Sequence, residues 1–254
     1  MRKYLTEFIG TFFLVFTICI SVQTKAALAP LAIGLVLAAM VFAGGHVSGA
    51  HYNPAVTLAV YLRGKLPASD IAPYMGAQIL GAVAAASISR VLLSGLPAVA
   101  AFHVSGRALV AALTVEVLVT FALAYVVLSV ATSKDHPNNS FYGLAIGFTV
   151  LAGAVTVGGI SGGVFNPAVA IGVSVAGMVS WSMIWVYLTA NLAGGALAAV
   201  AFRYLNPADL ATPTEAAPPA AAPRRTARRA DEPTARPDRP SVAANAPGRA
   251  RADA

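Results

Sequence analysis

The sequence predicts an all-α membrane protein in which six transmembrane helices and two re-entrant half helices form two inverted repeats. Three observations carry this reading: charge is scarce, the gaps between charges have span-like lengths, and the second half of the chain repeats motifs of the first. Of 254 residues, 57% are hydrophobic and only 11% are charged, against about 25% in an ordinary soluble domain. Residues 1–205 hold nine basic and four acidic residues. So few charges cannot keep a body of that size in water, whereas roughly 20 apolar residues suffice to span a bilayer.

Taken in order, residues 4–24 contain only Glu7 as a charge and make the first span. Residues 71–89 are uncharged and make another, and residues 108–133, interrupted only by Glu116, make a third. Two gaps have other lengths. Residues 26–62 form an uncharged run of 37, too long for one span and too short for two with a turn. Residues 136–202 form a run of 67, enough for two spans with a surplus. In both, the surplus holds a Gly-rich stretch followed by Asn-Pro-Ala. Irregular backbone is tolerated at membrane depth where protein buries it or where it lines a water-filled cavity. Each surplus therefore reads as a re-entrant loop leading into a half helix. Residues 53–62 would rise ~15 Å, about half the hydrocarbon core.

Six crossings put both termini on one side. With that side inside, cytoplasmic segments carry Arg2, Lys3, Arg63, Lys65, Lys134 and Arg203, and outer loops carry Lys25, Arg90 and Arg107. The excess places both ends in the cytoplasm of a cell whose plasma membrane, the inner membrane of a bacterium, holds the protein. Residues 1–22 do not read as a cleavable signal, because the apolar stretch is too long and carries Glu7. The single cysteine, Cys19, excludes an internal disulfide framework and an all-Cys metal site. The four histidines, at positions 46, 51, 103 and 136, lack metal-ligand spacing. No Ser/His/Asp or Cys/His arrangement is present, so no enzyme activity, cofactor or metal is expected.

The halves align in register. Ser48-Gly49-Ala50-His51-Tyr52-Asn53-Pro54-Ala55-Val56 lies over Ser161-Gly162-Gly163-Val164-Phe165-Asn166-Pro167-Ala168-Val169. Thr11 follows Glu7 by four residues, and Thr120 follows Glu116 by four. Gln78 and Gly81 lie 25 and 28 residues after Asn53, as Asn191 and Gly194 do after Asn166. With three spans per half, the second copy, at about 106–205, is inverted relative to the first, at about 4–95. Folds of this kind place their site near the midplane, at the N-termini of broken helices.

Together with Thr6-Glu7-Phe8-Ile9-Gly10-Thr11, Gly45-His46-Val47-Ser48-Gly49 and Gln78-Ile79-Leu80-Gly81-Ala82, these motifs resemble the major intrinsic protein family of aquaporins and aquaglyceroporins. The resemblance covers residues 4–205. It implies a passive channel for water and small uncharged solutes, a homotetramer in the lipid bilayer with one pore per subunit, and a path built from the two loops. Asn53 and Asn166 suit the N-cap, and Pro54 and Pro167 the first helical position. Ala55 and Ala168 are small enough for the two tips to meet. Amide donors backed by two positive dipole ends would then face a narrow passage; in aquaporin-type channels such half-helix ends exclude protons and cations. The family's ladder of carbonyl acceptors falls here on Gly49, Ala50, His51 and Tyr52, and on Gly162, Gly163, Val164 and Phe165.

Glu7 and Glu116 admit two roles, a proton relay or acceptors for the buried loop backbone; their symmetric placement favours the second, with Gln78 as a further buried polar strut. His46 is either a donor lining the pore or a strut holding the loop. Small residues at four-residue steps (Gly143 and Gly147; Ala77 and Gly81; Ala190, Gly194 and Ala198) suit close helix contact in lipid.

The family's selectivity filter maps to Ile33, Ala154, Gly163 and Val169. The usual Arg after the second Asn-Pro-Ala is replaced by Val169. The His of water-selective members is Ala154 here, and the Asp of glycerol-type members is Ala170. A wide, apolar, uncharged ring is expected, passing water with glycerol and urea, and with arsenite or methylated arsenicals as a further class. The alternative is a junctional, scaffolding or degenerate protein of the same fold with little flux. Residues 206–254 hold nine Pro, sixteen Ala, eight Arg and six acids. They read as a disordered, solvated cytoplasmic tail, with no nucleic-acid partner.

Overall fold

The computed structural model describes residues 1–97 and 99–210. They form eight α-helices: α1 (Arg2–Gln23), α2 (Ala29–Ser48), α3 (Pro54–Leu62), α4 (Ala68–Leu92), α5 (Gly106–Thr132), α6 (Tyr142–Ser161), α7 (Pro167–Val175) and α8 (Ile184–Leu205). Six are long and apolar enough to cross a membrane. The other two, α3 and α7, have nine residues each and are the half helices. The protein is a multi-pass, all-helical membrane protein.

The two halves pack alike. In the first, α1 lies against α2 and α4; in the second, α5 lies against α6 and α8. The halves join through α2 against α6, and each half helix crosses over to the last span of the other half, α3 to α8 and α7 to α4. Two symmetric glycine contacts set the closeness of these crossings. A Cβ on Gly147 would fall 2.3 Å from the Gly34 carbonyl oxygen, and one on Gly34 would fall 2.8 Å from that of Gly147. A Cβ on Gly81 would meet the Phe8 carbonyl at 2.5 Å, and one on Gly194 the Val117 carbonyl at 2.6 Å. Without an apolar–water contrast between helices in lipid, such backbone approach is what holds them together. Leu80, Val110, Val155 and Val200 are exposed, as residues facing lipid must be.

The body runs past the expected boundary at 205/206. Pro207–Asp209 forms a 3-10 turn, and Asp209 is buried. Its Oδ1 accepts from the Lys134 backbone N–H at 2.8 Å, and its Oδ2 lies 3.7 Å from Arg63 Nη2. The cause is Arg63. It is buried at the end of α3, donates from Nε to Thr132 Oγ1 (2.8 Å), and needs an opposite charge that the membrane body does not otherwise supply. Residues 211–254, the rest of the expected tail, lie outside the described residues.

Candidate pore

Asn53 and Asn166 occupy the N-caps of α3 and α7, each with extended backbone and with Pro at the next position. Asn53 Oδ1 accepts from the Ala55 N–H at 2.8 Å, and Asn166 Oδ1 from the Ala168 N–H at 2.9 Å. Their amide nitrogens reach across the pseudo-twofold axis. Asn53 Nδ2 donates to the Phe165 carbonyl (2.9 Å) and Asn166 Nδ2 to the Tyr52 carbonyl (2.8 Å). An amide has two N–H donors, so each Asn keeps one. Ala55 and Ala168 are fully buried where α3 and α7 touch.

The loops before these caps take the same path twice. Gly49, Ala50 and Tyr52 have φ of 83°, 51° and 50°; Gly162, Gly163 and Phe165 have φ of 90°, 67° and 52°. Left-handed backbone at non-Gly residues costs of order 1–3 kcal/mol each and persists only when the surroundings enforce it. The enforcement comes from the two buried glutamates. Glu7 accepts from Ser48 Oγ (2.7 Å), His51 N (2.9 Å) and Tyr52 N (2.6 Å). Glu116 accepts from Ser161 Oγ (2.7 Å), Val164 N (2.9 Å) and Phe165 N (2.7 Å). With their oxygens committed to the loops, the acids have the geometry of clamps.

Gln78 is buried and donates to Glu7 Oε2 (2.8 Å) and to Thr57 Oγ1 (2.9 Å). The Thr57 hydroxyl in turn donates to the Asn53 carbonyl (3.0 Å) and lies 3.2 Å from His51 Nδ1. Its one hydrogen being used, this network assigns the proton to Nδ1 of His51 and leaves Nε2 as an acceptor.

Two cavities follow the loops. One, of about 400 Å³, lies toward the end of α1 away from Met1 and is lined by Ile33, Ala154, Gly163 and Val169, with Asn53 and Asn166. The other, of about 420 Å³, lies between Gly49, Lys65, Asp70 and Thr132. His51 and Val127 line both, so the two cavities adjoin at these residues. All four expected filter positions thus surround one space, and none carries a side-chain donor or charge. The carbonyls of the expected acceptor ladder fall into two groups. The Tyr52 and Phe165 carbonyls already accept from the opposite Asn, while those of Gly49, Ala50, His51, Gly162, Gly163 and Val164 take no hydrogen bond from the described residues. In lipid an unsatisfied carbonyl costs several kcal/mol, so these groups call for polar molecules in the passage.

His46 is a correction. It is exposed on the last turn of α2 and lines neither cavity. The loop-facing side of that turn is given by Gly44 and Ser48, both buried, and a residue two positions from each points elsewhere on a 3.6-residue helix. The histidine at the passage is His51. Three further residues take a role at the site that the sequence alone does not assign. Tyr74 and Tyr187 donate to the carbonyls of Ser48 (2.9 Å) and Ser161 (2.6 Å), a pair detectable from their equal spacing of 21 residues after Asn53 and Asn166. Phe102, from the segment between α4 and α5, also lines the cavity at the filter.

Two opposed helix N-termini, with free amide donors and free carbonyls between two adjoining cavities, define a membrane channel for small polar molecules. The chain belongs to the major intrinsic protein family: the family model described as Major intrinsic protein matches residues 1–202. It is 39% identical to glycerol uptake facilitator protein-like 6 of Lactiplantibacillus plantarum, over 82% of this chain and all of that protein. It is 35% identical to aquaporin NIP1-4 of Oryza sativa, over 81% of this chain and 77% of that one, and 33% identical to aquaporin Z of Brucella melitensis, over 81% and 98%. The X-ray structure of the aquaglyceroporin from Plasmodium falciparum shares the fold, with a TM-score of 0.70 at 24% identity, covering 83% of this chain and 99% of that one.

Proposed function

We propose that this passive channel for water and small solutes admits glycerol-sized neutral molecules as well as water, through a ring formed by Ile33, Ala154, Gly163 and Val169. The observation that carries the reading is the composition of that ring around one cavity. A guanidinium at position 169 would fill more of the ring and bind water tightly; the Val169 side chain is shorter and offers no donor. Glycerol, urea, and the neutral hydroxides of trivalent arsenic, methylated or not, are the candidate solutes. A relative named for glycerol uptake accords with this. The Asn53 and Asn166 amides, with the dipole ends behind them, act as the barrier to cations, and Glu7, Glu116 and Gln78 hold the loops.

The protein sits in the plasma membrane, the inner membrane of a bacterial cell, with both termini cytoplasmic and four copies assembled side by side, each with its own pore. Stopped-flow light scattering on proteoliposomes under a sucrose gradient tests the channel itself. Shrinkage much faster than in protein-free vesicles is expected. Equal rates would leave the rival reading, a pore fold kept for scaffolding without flux.

A further inference from the structure

Each half helix has its far end closed by an arginine from the opposite half, and we propose that these two residues, Arg90 and Arg203, strengthen the channel's rejection of cations. The proposal rests on the pore reading above and adds two positioning residues to its charge barrier.

A helix leaves its last four carbonyls without intrahelical partners. In α3 the following turn takes three of them: the Arg63 N–H donates to the Ala59 carbonyl (2.9 Å), that of Lys65 to Val60 (3.0 Å) and that of Gly64 to Tyr61 (2.8 Å). The turn after α7 repeats the pattern, with Ala176 on Gly172 (2.9 Å), Met178 on Val173 (2.9 Å) and Gly177 on Ser174 (3.0 Å). The fourth carbonyl of each, Leu62 or Val175, takes no backbone N–H among the described residues. A guanidinium takes its place. Arg203 Nη1 donates to the Leu62 carbonyl (2.9 Å), and Arg90 Nη1 to the Val175 carbonyl (3.1 Å). Arg90 follows Asn53 by 37 residues, and Arg203 follows Asn166 by 37. Each stands in the last turn of the span on which the other half's half helix packs, α4 for α7 and α8 for α3. The two bonds are one cap made twice.

The consequence is electrostatic. The C-terminal end of a helix carries roughly half a negative charge. In helices of nine residues that pole lies only ~14 Å from the Asn tip, and it offsets part of the positive potential there. A full positive charge bonded to the pole outweighs it, so both ends of each half helix then oppose a cation at the tips. Both arginines are exposed, so solvent and salt weaken the effect. The path from cap to tip, however, runs along half helices that are mostly buried. Neither arginine lines either cavity, so neutral solutes are little affected.

The test measures monovalent cation conductance in planar bilayers and osmotic water permeability in proteoliposomes. It compares the full chain with R90Q, R203Q, the double Gln variant and the double Lys variant. Gln keeps an N–H donor and removes the charge; Lys keeps both. The Gln variants are expected to raise the ratio of cation to water passage severalfold, more at low than at high ionic strength. The Lys variant is expected to hold the wild-type ratio. If the double Gln variant does not survive purification, the single variants make the same comparison. An unmoved ratio in the Gln variants, a rise independent of ionic strength, or an equal rise with Lys would overturn the role of the caps while leaving the pore reading intact. Wild-type vesicles that shrink no faster than empty ones would remove both.

Discussion

At the scale of single residues, Val169 decides what the filter lacks. It is buried at the start of α7, where its N–H lies 3.3 Å from Asn166 Oδ1. Val169→Arg would bring five fixed donors and a permanent charge into the ring. Glycerol, urea and arsenite fluxes are expected to fall much more than water flux, and equal factors for all four would contradict the filter geometry. Asn166→Asp keeps an N-cap acceptor and puts a carboxylate at a helix N-terminus, where negative charge is tolerated. The variant loses the Asn166 Nδ2 bond to the Tyr52 carbonyl, so a lower unfolding midpoint is expected, while monovalent cation conductance in planar bilayers rises; unaltered conductance in a well-expressed variant argues against the dipole barrier. Glu116→Gln tests the clamp. A carboxamide has one acceptor oxygen, so one of Val164 N and Phe165 N faces an amide nitrogen. A loss on the order of 2 kcal/mol is expected, read as a lower unfolding midpoint in detergent. The two glutamates were legible in the sequence because each stands in register with its own Asn-Pro-Ala. His46 was misread because proximity to the motif in sequence does not say which face of the last α2 turn points at the loop.

At the scale of elements, charge-free lengths were enough to find all six spans, since a bilayer leaves few alternatives to a helix. The half helices were legible from a surplus of uncharged residues ending in an N-cap and a Pro. What charge spacing does not report is how near two helices come. The Gly34–Gly147 crossing is backbone against backbone, and the sequence shows only small residues at four-residue steps. Gly147→Ala is expected to push α2 from α6 and cost about 1–3 kcal/mol as overpacking does, visible as a lower unfolding midpoint and a smaller purified yield. An unaltered midpoint would mean the crossing is looser than the 2.3 Å between an added Cβ and the Gly34 carbonyl oxygen implies. The turn at Pro207–Asp209 escaped for a different reason. Ala, Pro and scattered charge resemble the tail that follows, and only the buried Arg63 shows why Asp209 belongs to the body. Phe102 escaped because its position is set by hydrogen bonds to residues 178 and 180, far along the chain.

At the scale of the whole molecule, two copies of one motif set, inverted and pressed together, turn two helix ends into a single passage with donors at its centre and free carbonyls on both sides. The repeat was legible in the sequence; that α3 packs on α8 and α7 on α4 was not, because the exchange of half helices between repeats leaves no trace in spacing. The central claim is that the passage carries water and small neutral solutes through a ring without charge. Its most direct measurement is stopped-flow light scattering of proteoliposomes facing an inward glycerol gradient. Rapid shrinkage as water leaves, followed by re-swelling much faster than in protein-free vesicles as glycerol enters, is the predicted result. Rapid shrinkage with re-swelling no faster than in empty vesicles would contradict it.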